Sequence, residues 1–234
     1  MYPLSFGPVR PARGLAVTVA IMIVINLVVE TLSALVSLQR YSIIGDVIEN
    51  PQSIDLQAVE DNDTLYAGSG ILQLATLVIA GVCYWIWLFR VRANAEALDP
   101  TVTQRRGKPW LIFGWFLPIV SFWFPKQIIN DIWTASEPRR RPPGGLVLAW
   151  WLTWILSAIG ENVLGRLLLA GEELEQLRTV ALLEVVVFPL TLVSGVLAIV
   201  VVNKITALQA QPRPAPAPVY PDSQYPQQTP PRPY

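Results

Sequence analysis

The stretch GWFLPIVSFWFPKQIINDIWTAS, residues 114–136, decides the topology of the chain. Its first half is aromatic and apolar, as a membrane segment is. Yet it carries Pro118 and Pro125 and turns polar from Lys126 onward. A span needs about 20 mostly apolar residues in one helix. The apolar part, residues 109–125, is shorter than that, and Pro118 removes a helical hydrogen bond and tends to kink or break the helix. Pro125 suits the first turn of a new helix. Beyond it, Ile128, Ile129, Ile132 and Trp133 fall on one helical face, with Lys126, Asn130, Asp131 and Thr134 elsewhere.

Four other stretches are long and apolar enough to span a bilayer: residues 15–38, 67–89, 146–170 and 180–202. Of the 234 residues, 53% are hydrophobic and only 15% charged, against roughly a quarter charged in a soluble domain. Arg10 and Arg13 precede the first span as they would a signal peptide. Secretory apolar cores run only about 7–15 residues, however, so an uncleaved anchor is expected.

Charge chooses the topology, because cytoplasmic loops are enriched in Lys and Arg. If residues 109–125 do not cross, fourteen basic residues lie inside, with only Arg40 and Arg178 outside and Arg166 within the third span. If they cross, the split becomes eight against eight. The non-crossing arrangement is therefore expected. The predicted fold is an all-α integral membrane protein of the cell membrane, with four transmembrane helices plus a Trp/Pro-rich re-entrant or interfacial hairpin.

The organisation that follows has a cytoplasmic N-terminus at 1–14 and an acidic extracytoplasmic loop at 39–66. A basic cytoplasmic collar at 90–145 contains the hairpin 109–136. A short outer loop occupies 171–179, and a cytoplasmic tail runs over 203–234. Nine of the 23 residues from Pro212 to Tyr234 are proline. Such a segment cannot bury a core, so disorder with polyproline II character is expected.

The stretches RVRANAEAL at 90–98 and WLIFGWFLPIVSFWFPKQIINDIWTASEP at 110–138 carry a resemblance. They are similar to the bacterial family of the domain of unknown function numbered 4328. That family shows a basic R-x-N stretch and then a Trp- and Pro-rich segment ending in P-x-Q…D-x-W-x-A-S. Here the ending is Pro125, Gln127, Asp131, Trp133, Ala135 and Ser136. The resemblance implies a small multi-span membrane protein of high-GC Gram-positive bacteria, often with a Pro-rich tail. It implies no activity and adds no catalytic residue.

Two constellations stand out. The first is intramembrane: Asn26, Glu30, Glu161, Asn162, Arg166 and Glu184. The three glutamates sit roughly 6–14 Å below the outer boundary at 1.5 Å per residue. Ionisable groups at such depth face a bundle interior or a watery cavity, and they pair. An outward-facing pocket for a cation, proton or polar ligand is one reading. A structural Glu–Arg pair with snorkelling ends is the plainer one, and it is preferred.

The second constellation is the collar: Arg90, Arg92, Asn94, Arg105, Arg106, Lys108, Pro118, Trp123, Pro125, Gln127, Asp131 and Trp133. Arg92 and Glu96 are four apart, and Asp131 is expected to pair with Arg90 or Arg92. All nine tryptophans fall in the cytoplasmic half, as an aromatic belt does. The sharper reading is a lipid-headgroup site with Arg105, Arg106, Lys108 and Arg139–Arg141 as phosphate partners.

Other chemistry finds little support. There is no histidine and one cysteine, Cys83, which removes His-based catalysis, an internal disulfide and Cys-rich metal sites. No phosphate loop, nucleophile elbow or zinc-protease motif occurs, and no cofactor or metal is expected. With zero net charge there is no global argument for nucleic acid. The expected function is a non-enzymatic scaffold or accessory protein. Its collar would bind membrane lipids, and its tail, ending PPRPY, a protein partner. The alternative is a small transporter or channel-like protein using Glu30, Glu161, Arg166 and Glu184. Oligomeric state does not follow from the residues.

Overall fold

The computed structural model describes residues 8–52, 54–171 and 173–212. All regular structure among them is helical: α1 (Arg13–Glu49), α2 (Leu56–Leu98), α3 (Trp110–Phe116), a 3₁₀ turn at Val120–Phe122, α4 (Phe124–Ser136), α5 (Gly145–Ala170) and α6 (Leu174–Gln209). Helices α1, α2, α5 and α6 are each long and apolar enough to cross a membrane. They coincide with the four expected spans. Large apolar side chains such as Leu32, Leu35, Ile71, Leu74 and Val186 are exposed along them. Water would penalise so much open apolar surface, whereas lipid does not.

The helices overrun the spans, and this corrects the loop boundaries. Most of 39–66 is helix, since α1 continues to Glu49 and α2 begins at Leu56. Hydropathy registers only the lipid-soluble part of a helix, whose hydrogen-bond ladder continues into water. Asp55 caps α2, its Oδ1 accepting from the backbone N–H of Gln57 and Ala58. Arg40 pairs with Asp63 at 2.6 Å and ties the two extensions together. Helix α6 likewise begins inside the expected loop 171–179, with Glu175 in its first turn, where the helix dipole favours an acid. It also runs past 202 to Gln209, because Ile205, Thr206 and Gln209 are buried there. The expectation of disorder falls mostly on residues 213–234, which lie outside the described residues.

Packing arranges the long helices in a row. Helix α1 lies between α2 and α6, and α5 packs on the far side of α6. Helices α2 and α5, at the ends of the row, do not pack along each other. At one end the hairpin fills the gap between them. One core there joins the start of α1 (Ala12, Ala16, Val19), the end of α2 (Trp87, Leu88, Val91, Ala95), the start of α5 (Val147, Trp150) and the end of α6 (Val201, Val202, Ile205). The segment between α2 and α5 therefore returns to the end of the bundle it left. We call this the hairpin end and its opposite the far end.

The prolines shape the hairpin. Leu117, before Pro118, is extended with ψ 122° and ends α3, as the clash with the proline ring demands. Ile119 follows at φ 65°, a conformation that costs a β-branched residue energy. Across this break the two helical arms meet at 109°. Pro125 stands in the first turn of α4. Ile128, Ile129, Ile132 and Ala135 then form a face with no exposure at all, set against α2, α5 and α6. From α3, Trp115 wedges between α2 and α5. Its ring centroid lies 5.3 Å from Tyr84, 6.2 Å from Trp150 and 5.3 Å from Trp154.

Candidate functional site

Below the wedge, at the hairpin end, the collar residues are engaged with one another. Asn94 Nδ2 donates to the Arg10 carbonyl (2.8 Å) and to Gln209 Oε1 (3.0 Å), and its Oδ1 accepts the Arg10 N–H (2.9 Å). Gln209 Nε2 donates to the Val91 carbonyl and to Ser136 Oγ. Arg92 is buried, donating to Glu96 and to the Arg106 carbonyl. Arg106 donates twice to Gln127 Oε1 and lies 3.7 Å over the Phe124 ring. Arg140 holds Asp99 at 2.7 Å. Burial pushes the Asp99 carboxyl up, but hydrogen bonds from Thr101 and Arg140 outweigh this and hold it below the ordinary carboxylate range.

Asp131 does not pair with Arg90 or Arg92. It pairs with Arg105 at 2.7 Å, because Arg92 already serves Glu96 and Arg106, while Arg90 reaches the Pro11 carbonyl. Asp131 is also buried, although it lies off the apolar face, because Arg105 covers it. Lys108, Pro118 and Trp123 are exposed, Trp133 is half-buried and Pro125 is buried. The resemblance motif is thus largely a clasp that locks the hairpin to the ends of α1, α2 and α6. Gln209 and Asp99, which complete the clasp, carry no motif signal.

Above the wedge, toward the far end, lies a cavity of about 280 Å³. Glu30, Ser33 and Ser37 of α1, Tyr66, Gly70 and Gln73 of α2, Glu161 and Leu164 of α5, and Glu184 and Phe188 of α6 contribute to its lining. Three glutamates from three helices therefore share one cavity. Among the lining residues there is no lysine or arginine.

The carboxylates are oriented by neutral donors. Glu184 accepts from Ser37 Oγ at 2.5 Å and from Tyr66 Oη at 2.6 Å. Glu30 accepts from Gln73 Nε2 at 2.7 Å. Glu161 has a long contact to Thr191 Oγ1 at 3.4 Å. At the rim, Arg40 lies 4.4 Å over the Tyr66 ring and is paired with Asp63. Ser33 is 5% exposed, and its Oγ has no hydrogen-bond partner. A buried hydroxyl without a partner is uncommon.

The Glu–Arg pair expected in the spans is not formed. Arg166 and Asn162 are exposed and do not line the cavity. Leu164 and Leu168 follow Glu161 at i+3 and i+7 and share its face, whereas Arg166 at i+5 is turned about 140° away. Asn26 lies one turn from Glu30 and accepts from Thr76 Oγ1 at 3.0 Å. The sequence did hold a signal for part of this site. Asn26, Glu30, Ser33 and Ser37 recur at i, i+4, i+7 and i+11, a polar stripe along one face of an otherwise apolar helix.

A family model for a domain of unknown function, DUF4328, matches residues 50–207. The match takes in α2, the hairpin, α5 and nearly all of α6. Helix α1, which supplies Glu30, Ser33 and Ser37, precedes it. No curated protein and no solved structure matches the chain.

Proposed function

The chain belongs to the DUF4328 family, and from that premise we propose that it is a cell-membrane protein of the small transporter or channel-like kind, admitting a cation to the far-end cavity from outside the cell. Both termini and the hairpin face the cytoplasm in this reading, and the hairpin dips into or lies on the inner leaflet without crossing. Fourteen basic residues against two support that orientation. The 109° break at Pro118 and the return of the chain to the hairpin end support the non-crossing hairpin. Leu117, Pro118 and Ile119 at the break are exposed, and broken backbone is tolerated in hydrocarbon only where protein covers it, which favours a break at the membrane surface.

The observation that carries the proposal is the sharing of one cavity by Glu30, Glu161 and Glu184 with no basic residue in its lining. Like charges lining one space favour a positive occupant, with Glu161 exposed and Glu30 half-buried. The scaffold reading, with lipid headgroups on the collar and a partner on the tail, has less support. Arg105, Arg106 and Arg140 are engaged within the protein, and most of the tail lies beyond the described residues.

The test is current across proteoliposomes holding the full chain, on concentration jumps of sodium, potassium, calcium and n-butylammonium chlorides. At least one cation is expected to give a current that is lost in Glu30→Gln/Glu161→Gln. Removal of residues 213–234 should leave the current unchanged. Absence of any glutamate-dependent current, in protein that stays monodisperse, overturns the proposal.

A further inference from the structure

The reading above leaves the cation's chemistry open, and the cavity itself constrains it. A bare divalent ion such as calcium takes 6–8 oxygens at about 2.3–2.6 Å, which requires the donors to converge on a point. Among the described residues no three acidic side chains come together in that way. The three carboxylates are instead spread around a cavity of about 280 Å³. A water's share of liquid is about 30 Å³, so this space is several times what one ion or one water fills. Much of the wall is apolar, with Ala34, Ala67, Leu164, Leu168 and Phe188 contributing. Such a space suits an occupant that combines a positive charge with a hydrocarbon part.

The polar side of the cavity identifies the head group. Glu184 is fixed by Ser37 and Tyr66. Glu30 and Glu161 keep acceptor capacity, since each ionised carboxylate offers about four lone-pair sites. Ser33 adds a buried hydroxyl with no partner in the protein. An –NH₃⁺ group has three donors on one compact charge, enough for Glu30, Glu161 and Ser33 together. A quaternary ammonium has none. The gap between α2 and α5 above Trp115 has no helix across it, so a short alkyl chain can lie along Leu164 and Leu168 toward the bilayer.

We propose that the cavity between α2 and α5 is a binding site for primary alkylammonium ions, with the ammonium among Glu30, Glu161 and Ser33 and the alkyl chain against Leu164, Leu168 and Phe188. This rests on the cation-cavity reading and narrows it to one ligand class. Binding to the full chain in detergent would be measured by titration calorimetry, with n-butylammonium chloride as ligand. Tetramethylammonium, sodium and calcium chlorides and 1-butanol serve as comparators.

Saturable n-butylammonium binding is expected, with Glu161→Gln weakening it about tenfold to a hundredfold, the loss of one charge-assisted hydrogen bond. Ser33→Ala should weaken it as well while leaving the melting temperature of the ligand-free protein unchanged or raised, because the hydroxyl it removes is unpaired. Tetramethylammonium binding as tight as n-butylammonium binding overturns the proposal, as does wild-type affinity in Ser33→Ala. Glutamate-dependent binding of sodium or calcium without the amine overturns the ligand class and leaves the cation cavity standing. If no cation binds, both readings fall.

Discussion

Asp131 and Arg105 hold each other through two separate groups. Asp131 Oδ1 lies 2.7 Å from Arg105 Nη2, and Asp131 Oδ2 accepts the backbone N–H of Arg105 at 2.9 Å. Asp131 is 7% exposed, while the arginine side chain is about half in water. One carboxylate thereby fixes the chain leaving α2 onto the helix that closes the hairpin.

Asp131→Asn keeps the shape of the side chain and removes its charge. The Arg105 guanidinium then loses its charged acceptor, and one amide hydrogen points at a donor. A loss of about 1–3 kcal/mol is expected, the range for breaking a buried hydrogen bond to a charged group. A thermal melt in detergent reads it directly. An unshifted midpoint would mean that the pair contributes nothing to the clasp.

Gln209 joins the end of α6 to α2, through Asn94 and Val91, and to α4, through Ser136. Gln209→Ala should release the end of α6 from the hairpin and expose the adjoining loop. Trypsin cleavage after Arg139 and Arg140 should then be faster than in wild type. Gln209→Glu should be worse, since it buries a charge and turns the Val91 carbonyl, which accepted from the amide, against a carboxylate oxygen. Equal cleavage rates in all three proteins would show that the hairpin is held without Gln209.

Asp99 makes stability depend on acid. Its folded pKa lies below its ordinary value. Such a group contributes stability that is fully present above the unfolded pKa, about 3.9, and lost as pH falls through the folded value. Wild type should therefore lose its advantage over Asp99→Asn only as pH drops below about 3.9. Melts across that range check it, and parallel pH profiles for the two proteins would contradict it.

The spans were legible because twenty apolar residues in a row have few soluble uses. Pro118 and Pro125 announced the break and the restart of the helix for local steric reasons that need no tertiary context. The clasp was only half legible. Its motif residues and Arg105 were visible, but the pairings of Asp131 with Arg105 and of Asn94 and Ser136 with Gln209 join residues distant in sequence, where no periodicity reports a contact. In the cavity, depth alone marked Glu30, Glu161 and Glu184. That they share a space follows from which helices are neighbours, and hydropathy says nothing about that. Arg166 misled for the same reason: its depth matched, while its face, five residues from Glu161, did not.

Trp115 separates the two polar regions, and its indole Nε1 is buried with no partner. Trp115→Ala should cost about 3–5 kcal/mol, as truncation of a packed tryptophan does. Trp115→Phe keeps an aromatic ring against Tyr84 and Trp154 and discards the unpaired N–H, so its cost should stay below about 1.5 kcal/mol. Melting both variants distinguishes a packing role from a polar one. If phenylalanine costs as much as alanine, the N–H has a partner that this packing does not supply.

At Gly160, next to Glu161 of the cavity, α5 packs closely on Val187 of α6. A Cβ there would lie 2.9 Å from Val187 Cγ1 and 3.0 Å from Cγ2. Small residues at such crossings let membrane helices approach, and dispersion between them then holds the pair. Gly160→Ala should push the helices apart and cost about 1–3 kcal/mol, the usual range for overpacking. It should also displace the neighbouring Glu161 from Glu184 across the cavity. Val187→Ala removes the obstructing methyls, so the double variant Gly160→Ala/Val187→Ala should recover most of the loss. A double-mutant cycle on melting free energy measures the coupling. Strict additivity of the two changes would mean that Gly160 and Val187 do not set the spacing, and that Glu161 is positioned by something else.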